Sequence, residues 1–316
     1  MKNYGIPYMG SKSKIAPAIL KRLPSGKRFV DLFGGGFAMS HAAILSGKYE
    51  RVWYRDFNAG VTHLVEDAYN GKYNYSVFKP EFITRERFNR EYKDNAYIRQ
   101  IWSFGNKGTA YLYGKDIEHI KHVAHDFVVF GKWSPELEKI AKGITKAVTA
   151  KDIRTRRMQF TRHIKSTGKS INGKLQHMNQ LECLQQLEEL SRLECLQQLE
   201  ELSRLERLQQ LEELSRLERL QQLEFGHGLS YDDYEYQDGD VVYCDPPYIG
   251  TAEYVDAFDY DKFFDWAASR NFDVYFSNYP IYDKRFVLVW ASQLRSTLGS
   301  GNNSVNFECL YKNVGE

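Results

Sequence analysis

Val241-Val242-Tyr243-Cys244-Asp245-Pro246-Pro247-Tyr248 reads as a buried strand that delivers a carboxylate, two prolines and an aromatic ring at its C-terminal end. In open α/β sheets ligands bind beside the carboxyl ends of strands, so this turn is where chemistry is expected. Asp245 and the carbonyl of Pro246 can accept hydrogen bonds from an exocyclic amine on a planar base, keeping its lone pair available for attack. Tyr248 supplies a face on which an extruded base can stack. Each proline fixes φ and lacks an N–H, so the turn is stiff. A proline turn that merely ends the sheet has the same four residues, and the motif alone does not separate the two.

Working outward, strands and helices alternate on both sides of a long middle region. Arg28–Leu32 reads as a short buried strand, and Phe33-Gly34-Gly35-Gly36-Phe37 turns it into a helix through about Ser46. A strand over Arg51–Arg55 ends at Asp56-Phe57-Asn58, and a helix over about 59–69 follows. After residue 240 come the strand 241–244, a helix near 259–270, strands at 273–276 and 286–290, and an alternating segment over 304–311. Strands spaced by helices imply a mostly parallel sheet covered on both faces. The middle, 76–178, lacks that rhythm and is richer in Arg, Lys, Tyr and Phe. It reads as a separate domain inserted into a sheet domain made of 1–75 and 228–316.

Between them, from Leu181 to Leu223, a leucine falls at every third position, in three copies of a twelve-residue unit and a partial fourth. The other residues are mostly good helix formers, with no Gly or Pro. On an α-helix a step of three advances about 300°, so the leucines slip backward by about 60° each time and circle the helix. No heptad seam exists. The expectation is a helical repeat insertion over 179–225, tolerated because it leaves the core alone, with self-association through its leucines as the functional alternative.

Lys+Arg 43 against Asp+Glu 41 gives a net charge of only +2, so total charge announces no nucleic-acid partner. Its distribution says more. Lys151, Arg154, Arg156, Arg157, Arg162, Lys165, Lys169 and Lys174 fall in one stretch with Asp152 as the sole acid, which suits a phosphate backbone or a solvated loop. The four cysteines show neither a disulfide framework nor metal-ligand spacing, and no metal is expected. No secretory leader or membrane-length apolar run is visible, which reads as a reduced, soluble, cytoplasmic protein.

The glycines at 34–36 suit a backbone approached closely by a ligand, with a helix N-terminus beyond. They lack the GxGxxG spacing and any Walker lysine, which argues against hydride transfer and NTP hydrolysis. Asp56 is placed to accept from ribose hydroxyls or to cap the next helix, and Asp31 is a second candidate acid. Tyr8-Met9-Gly10-Ser11-Lys12 precedes the first helix, and Lys12 by itself reads as a surface lysine.

Taken together these motifs resemble the Dam-type, or D12-class, DNA adenine methyltransferases, and the leucine repeat resembles that of bacteriophage-type members. The resemblance covers 1–75 and 228–316, and the middle only through Trp102–Gly108. It implies an α/β fold, a Rossmann-like methyltransferase sheet with an inserted, mainly helical DNA-recognition domain. It also implies S-adenosyl-L-methionine as cofactor and double-stranded DNA as partner. By resemblance Tyr8, Gly10 and Lys12 form the N-terminal cofactor loop, and Phe33, Gly34, Gly35 and Gly36 the main cofactor turn, near Asp31. Asp56 and Asn58 mark the ribose site, Asp245, Pro246, Pro247 and Tyr248 the catalytic turn, and Phe276-Ser277-Asn278-Tyr279 the flank of the target-base pocket. Arg154, Arg156, Arg157, Arg162, Lys165 and Lys169 are the candidate DNA contacts. The implied reaction is methyl transfer to N6 of adenine. The rivals are N4-cytosine transfer and a decayed DNA-binding or scaffold protein, the latter suggested by Phe37, where the family has glycine.

Overall fold

β1 (Gly26–Asp31), β2 (Tyr49–Asp56), β3 (Gln222–His227), β4 (Asp240–Cys244), β5 (Val274–Asn278), β6 (Phe286–Arg295) and β7 (Val305–Asn313) form a single sheet. The computed structural model describes residues 4–106, 108–176, 203–217, 222–248, 258–295 and 305–314. The strand order is β3-β2-β1-β4-β5-β7-β6. β1, β2, β3, β4 and β5 pair in parallel, whereas β7 runs antiparallel to both β5 and β6. The strand order reverses between β1 and β4, which opens a crevice at their carboxyl ends.

Successive side chains on a strand point to opposite faces, and β1 shows that both are covered. Val30 joins a buried cluster with Val242, Cys244, Phe276 and the aromatic residues Phe263 and Trp266 of the helix Tyr260–Ala268. Its neighbour Asp31 points the other way and accepts from Ser40 of the helix Ala38–Ser46. The continuous apolar run Val241–Cys244 of β4 follows from burial on two sides, as in any doubly covered parallel sheet.

The chain divides into two compact units, Met1–Gly71 with Glu213–Glu316, which holds the sheet, and Lys72–Glu212. The second unit is helical among its described residues, apart from one bridge between Ser103 and Tyr111. Trp102, Phe88, Phe160 and Ile164 are buried at its core, and its helices Glu118–Phe130 and Ile153–Gln176 pack together.

Most of the expected elements are present, with two differences. The strand β3 is not anticipated by the sequence, and it begins inside the segment 179–225 assigned above to the repeat. Leu223, the last leucine of the repeat, pairs with Val52 in β2 instead of continuing a helix. The helix Ser203–Leu214 closes with a 3₁₀ turn over Ser215–Leu217. The first copies of the repeat lie outside the described residues.

Candidate active site

The corner at the end of β4 is built from the N-terminal loop, the Asp245–Tyr248 turn and β7. Gly10, at φ +76°, takes a left-handed conformation that a side chain would resist, and lets the loop double back. Ser11 then caps the 3₁₀ turn Lys12–Lys14 by accepting from the Ser13 amide. That turn sends Lys12 inward: it is buried, not the surface lysine that the sequence suggests. Its ammonium lies 2.8 Å from Asp245 Oδ1 and 3.7 Å from Glu308 Oε1. It also sits 4.5 Å above the centroid of the Tyr248 ring.

The Tyr248 hydroxyl donates to Glu308, a buried residue of β7, and the edge of Tyr279 meets the Tyr248 ring at 4.8 Å between centroids. Pro246 is buried and Pro247 half-buried. Burial raises the Asp245 and Glu308 carboxyls above the usual carboxylate range, and the Lys12 ammonium pulls both back down. Asn278, buried at the end of β5, accepts from the Tyr279 amide with Oδ1, and its Nδ2 has no hydrogen-bond partner among the described residues.

The ends of β1 and β2 form the second half of the crevice. Gly34 donates to the Arg55 carbonyl and Gly35 to Asp56 Oδ2, both at 2.8 Å, so the turn after β1 is laced to the end of β2. A Cβ on Gly36 would lie 2.4 Å from Cβ of Tyr8, so the glycine is what admits the N-terminal loop over the turn. Asp56 also accepts from the Asn58 amide at 2.7 Å, while Asn58 caps the helix Ala59–Tyr69 by accepting from Val61. The capping role weighed for Asp56 therefore belongs to Asn58. Phe33 packs against Tyr231, Phe258 and Phe263 as part of the core margin.

Asp31 is pushed up to about 7, first by burial, then by Asp245 and Asp56, against the opposing bond from Ser40. Its Oδ1 has no hydrogen-bond partner among the described residues. Sequence reasoning missed Glu308, Ser40 and Phe57. Phe57 is 72% exposed beside Asp56, and an aromatic ring left in solvent next to a candidate ribose acid is the one local signal it offered. Asp232 and Asp233 serve the backbone and Lys262 at a short 3₁₀ turn.

The basic candidates lie on the helix Ile153–Gln176 of the other unit and are not equivalent. Arg154, Arg157, Arg162 and Lys165 line a groove of about 690 Å³ with Met158, Gln209 and neighbouring residues. Arg154 pairs with Glu212 at 2.8 Å and Arg157 with Gln209 at 2.7 Å, while Arg162 and Lys165 are exposed. Arg156 differs, because it donates to the carbonyls of Val128, Ala150 and Lys151. That guanidinium is engaged in holding backbone together. The side chain of Lys169 lies outside the described residues.

A seven-stranded, mostly parallel sheet of this order, with a glycine turn after β1, an acid ending β2 and a carboxylate-Pro-Pro-Tyr turn after β4, is consistent with the methyltransferase class. Residues 8–104 match the family model of the D12 class N6 adenine-specific DNA methyltransferases, and this similarity supports methylation of adenine in DNA as the activity. No match was found among curated proteins. Among the described residues no helix is long and apolar enough to cross a membrane.

Proposed function

We propose that the chain transfers a methyl group from S-adenosyl-L-methionine to N6 of adenine in double-stranded DNA, with Asp245, Pro246, Pro247 and Tyr248 as the catalytic turn. The observation that carries this reading is the position of the Lys12 ammonium. A nitrogen donor held by Asp245 against the face of Tyr248 occupies the place that an exocyclic amine of a stacked base would take. Glu308, close by on the other side, gives the ammonium a second carboxylate, so Lys12 can yield Asp245 to the incoming amine without being left unpaired. Asp245 and the Pro246 carbonyl then accept from the amine and aim its lone pair, and holding the reactants in line contributes much of the rate.

The crevice at β1 and β2 fits the cofactor on two observations: the unpartnered buried oxygen of Asp31 and the exposed ring of Phe57 beside Asp56. When bound, S-adenosyl-L-methionine supplies an electrophilic methyl group on a sulfonium. Asp56 has lone pairs left for ribose hydroxyls, Phe57 offers a face for an adenine ring, and Tyr8 with Gly10 and Gly34–Gly36 closes the crevice.

The unit 72–212 serves as the inserted recognition domain in this reading. Arg154, Arg157, Arg162, Lys165 and Lys169 contact phosphates, which position the duplex without reading its sequence. In this reading the repeat resembles that of phage-type enzymes, and a DNA-modifying activity is in keeping with a cytoplasmic protein. Self-association through the repeat gains no support, because Leu208, Leu211, Leu214 and Leu217 are buried within the chain.

The test is methyl transfer from labelled cofactor to unmethylated duplex DNA, with mass identification of the modified nucleoside. N6-methyladenine is expected, and Asp245→Ala should abolish it while calorimetry still detects cofactor binding. N4-methylcytosine would favour the cytosine reading; no product and no cofactor binding would favour a decayed site.

A further inference from the structure

One cluster away from the methyl-transfer corner has the composition of a metal site. His63 and Glu66, three residues apart on the helix Ala59–Tyr69, face His227, the last residue of β3. His227 Nε2 lies 3.0 Å and His63 Nδ1 3.8 Å from the same carboxylate oxygen, Glu66 Oε2. One ligand atom from each residue lies within 4.8 Å of the other two. Zinc bonds of about 2.0–2.1 Å place tetrahedral ligands about 3.3 Å apart, so the observed separations bracket what one ion requires.

A second observation concerns the far side of His227. Its Nδ1 is 2.7 Å from the Thr62 hydroxyl, which donates its hydrogen to the Ala59 carbonyl at 3.0 Å. With that hydrogen spent, Thr62 accepts Nδ1–H from His227, and the tautomer leaves the Nε2 lone pair facing a carboxylate oxygen. An Nε2–H of the imidazolium would make the same contact, so the site takes either a proton or a metal ion between these two atoms. Metal-binding histidines are oriented in just this way, by a partner on the other ring nitrogen.

We propose that His63, Glu66 and His227, with Thr62 as the orienting partner, bind a divalent late first-row ion, with zinc the best match to two imidazoles and one carboxylate. The His63 and His227 rings now stack at 3.9 Å, and the 61% exposed His63 has room to turn its lone pair toward the shared ion. Among the described strands β3 lies at the edge and pairs with β2, and His227 stands in register with Asp56. The ion would tie this edge to the helix that follows Asp56, at the point where the chain has re-entered the sheet after the repeat. The role is structural, since the proposed methyl transfer needs no metal. This departs from the expectation of no metal, which scanned cysteine spacing and could not see His-x-x-Glu meet a histidine 161 positions beyond Glu66.

The test is calorimetric titration of zinc into full-length, chelator-treated protein, together with thermal denaturation with and without zinc. One ion per chain and a higher melting temperature are expected. His63→Ala, which alters an exposed residue and spares the fold, and Thr62→Val should each weaken binding by at least about tenfold, the loss typical even of a supporting residue. No binding, or equal binding by wild type and His63→Ala, would overturn the proposal. So would a thiolate-to-metal band with cobalt, which would assign the ion to cysteines.

Discussion

Phe37 is the one described non-glycine residue with positive φ, at +70°, and it stands where the resembled family carries glycine. The left-handed conformation costs an L-residue about 1–2 kcal/mol. The ring is fully buried, edge-on to Tyr54 with centroids 5.0 Å apart and stacked near His41, so packing offsets the strain. Phe37→Gly should relieve the backbone but lose a large buried side chain, normally worth about 3–5 kcal/mol. A net loss of about 2 kcal/mol in chemical denaturation is expected, with cofactor binding retained. Asp31 gives a pH signature of the opposite kind to an ion-paired carboxylate. Its native value near 7 exceeds the unfolded value of about 4, so the native state holds the extra proton between these limits. Stability from this group is therefore present below about pH 4 and lost as pH rises toward 7. Asp31→Asn should flatten thermal stability across that window.

The described helix of the leucine repeat shows how a period of three can still make a buried helix face. From Leu208 through Leu211 to Leu214, two steps of about 300° spread the leucines over about 120°, an ordinary width for an apolar stripe. All three are fully buried. Leu217 follows in a 3₁₀ turn, where residues three apart lie over one another, so the stripe stops drifting where the α-helix ends. Arg207 pins the same helix by donating to the Ile101 and Ser103 carbonyls. These leucines are buried, so this stretch is not detached from the packing around it, while the first copies lie outside the described residues. Leu211→Ala should cost about 2–5 kcal/mol, measured by urea denaturation. An unchanged midpoint would return the segment to the dispensable class.

Across the whole molecule, the division of labour between the two units predicts separable phenotypes. Arg162 and Lys165 are exposed on the helix Ile153–Gln176, far in sequence from every residue of the methyl-transfer corner. Substituting either by alanine should weaken DNA binding nearly equally for all sequences. It should also reduce the slope of log affinity against log salt by about 1, because one phosphate contact is lost. Filter binding across a salt series measures this, with calorimetric cofactor binding as the unaffected control. Arg156→Ala should instead lower stability, since its guanidinium holds three carbonyls.

The sequence by itself determined the strands β1, β2, β4 and β5, the glycine turn, the acid ending β2 and the Asp245-Pro246-Pro247-Tyr248 turn. Each depends on neighbours in the chain: apolar runs, residues that restrict or free φ, and side chains placed at a strand end. Only the tertiary structure decided that Lys12 is buried between Asp245 and Glu308, that Arg156 is committed to backbone, and that the end of a helical repeat becomes the strand β3. Glu308 lies 63 positions from Asp245, and its meeting with Lys12 depends on β7 pairing beside β5. Leu223 and Phe225 are strand residues because β2 offers an open edge and an apolar face, which outweighs the helical preference of the repeat. Local pattern is written in adjacent residues, whereas a buried charge network or an edge strand exists only once packing has brought distant segments together.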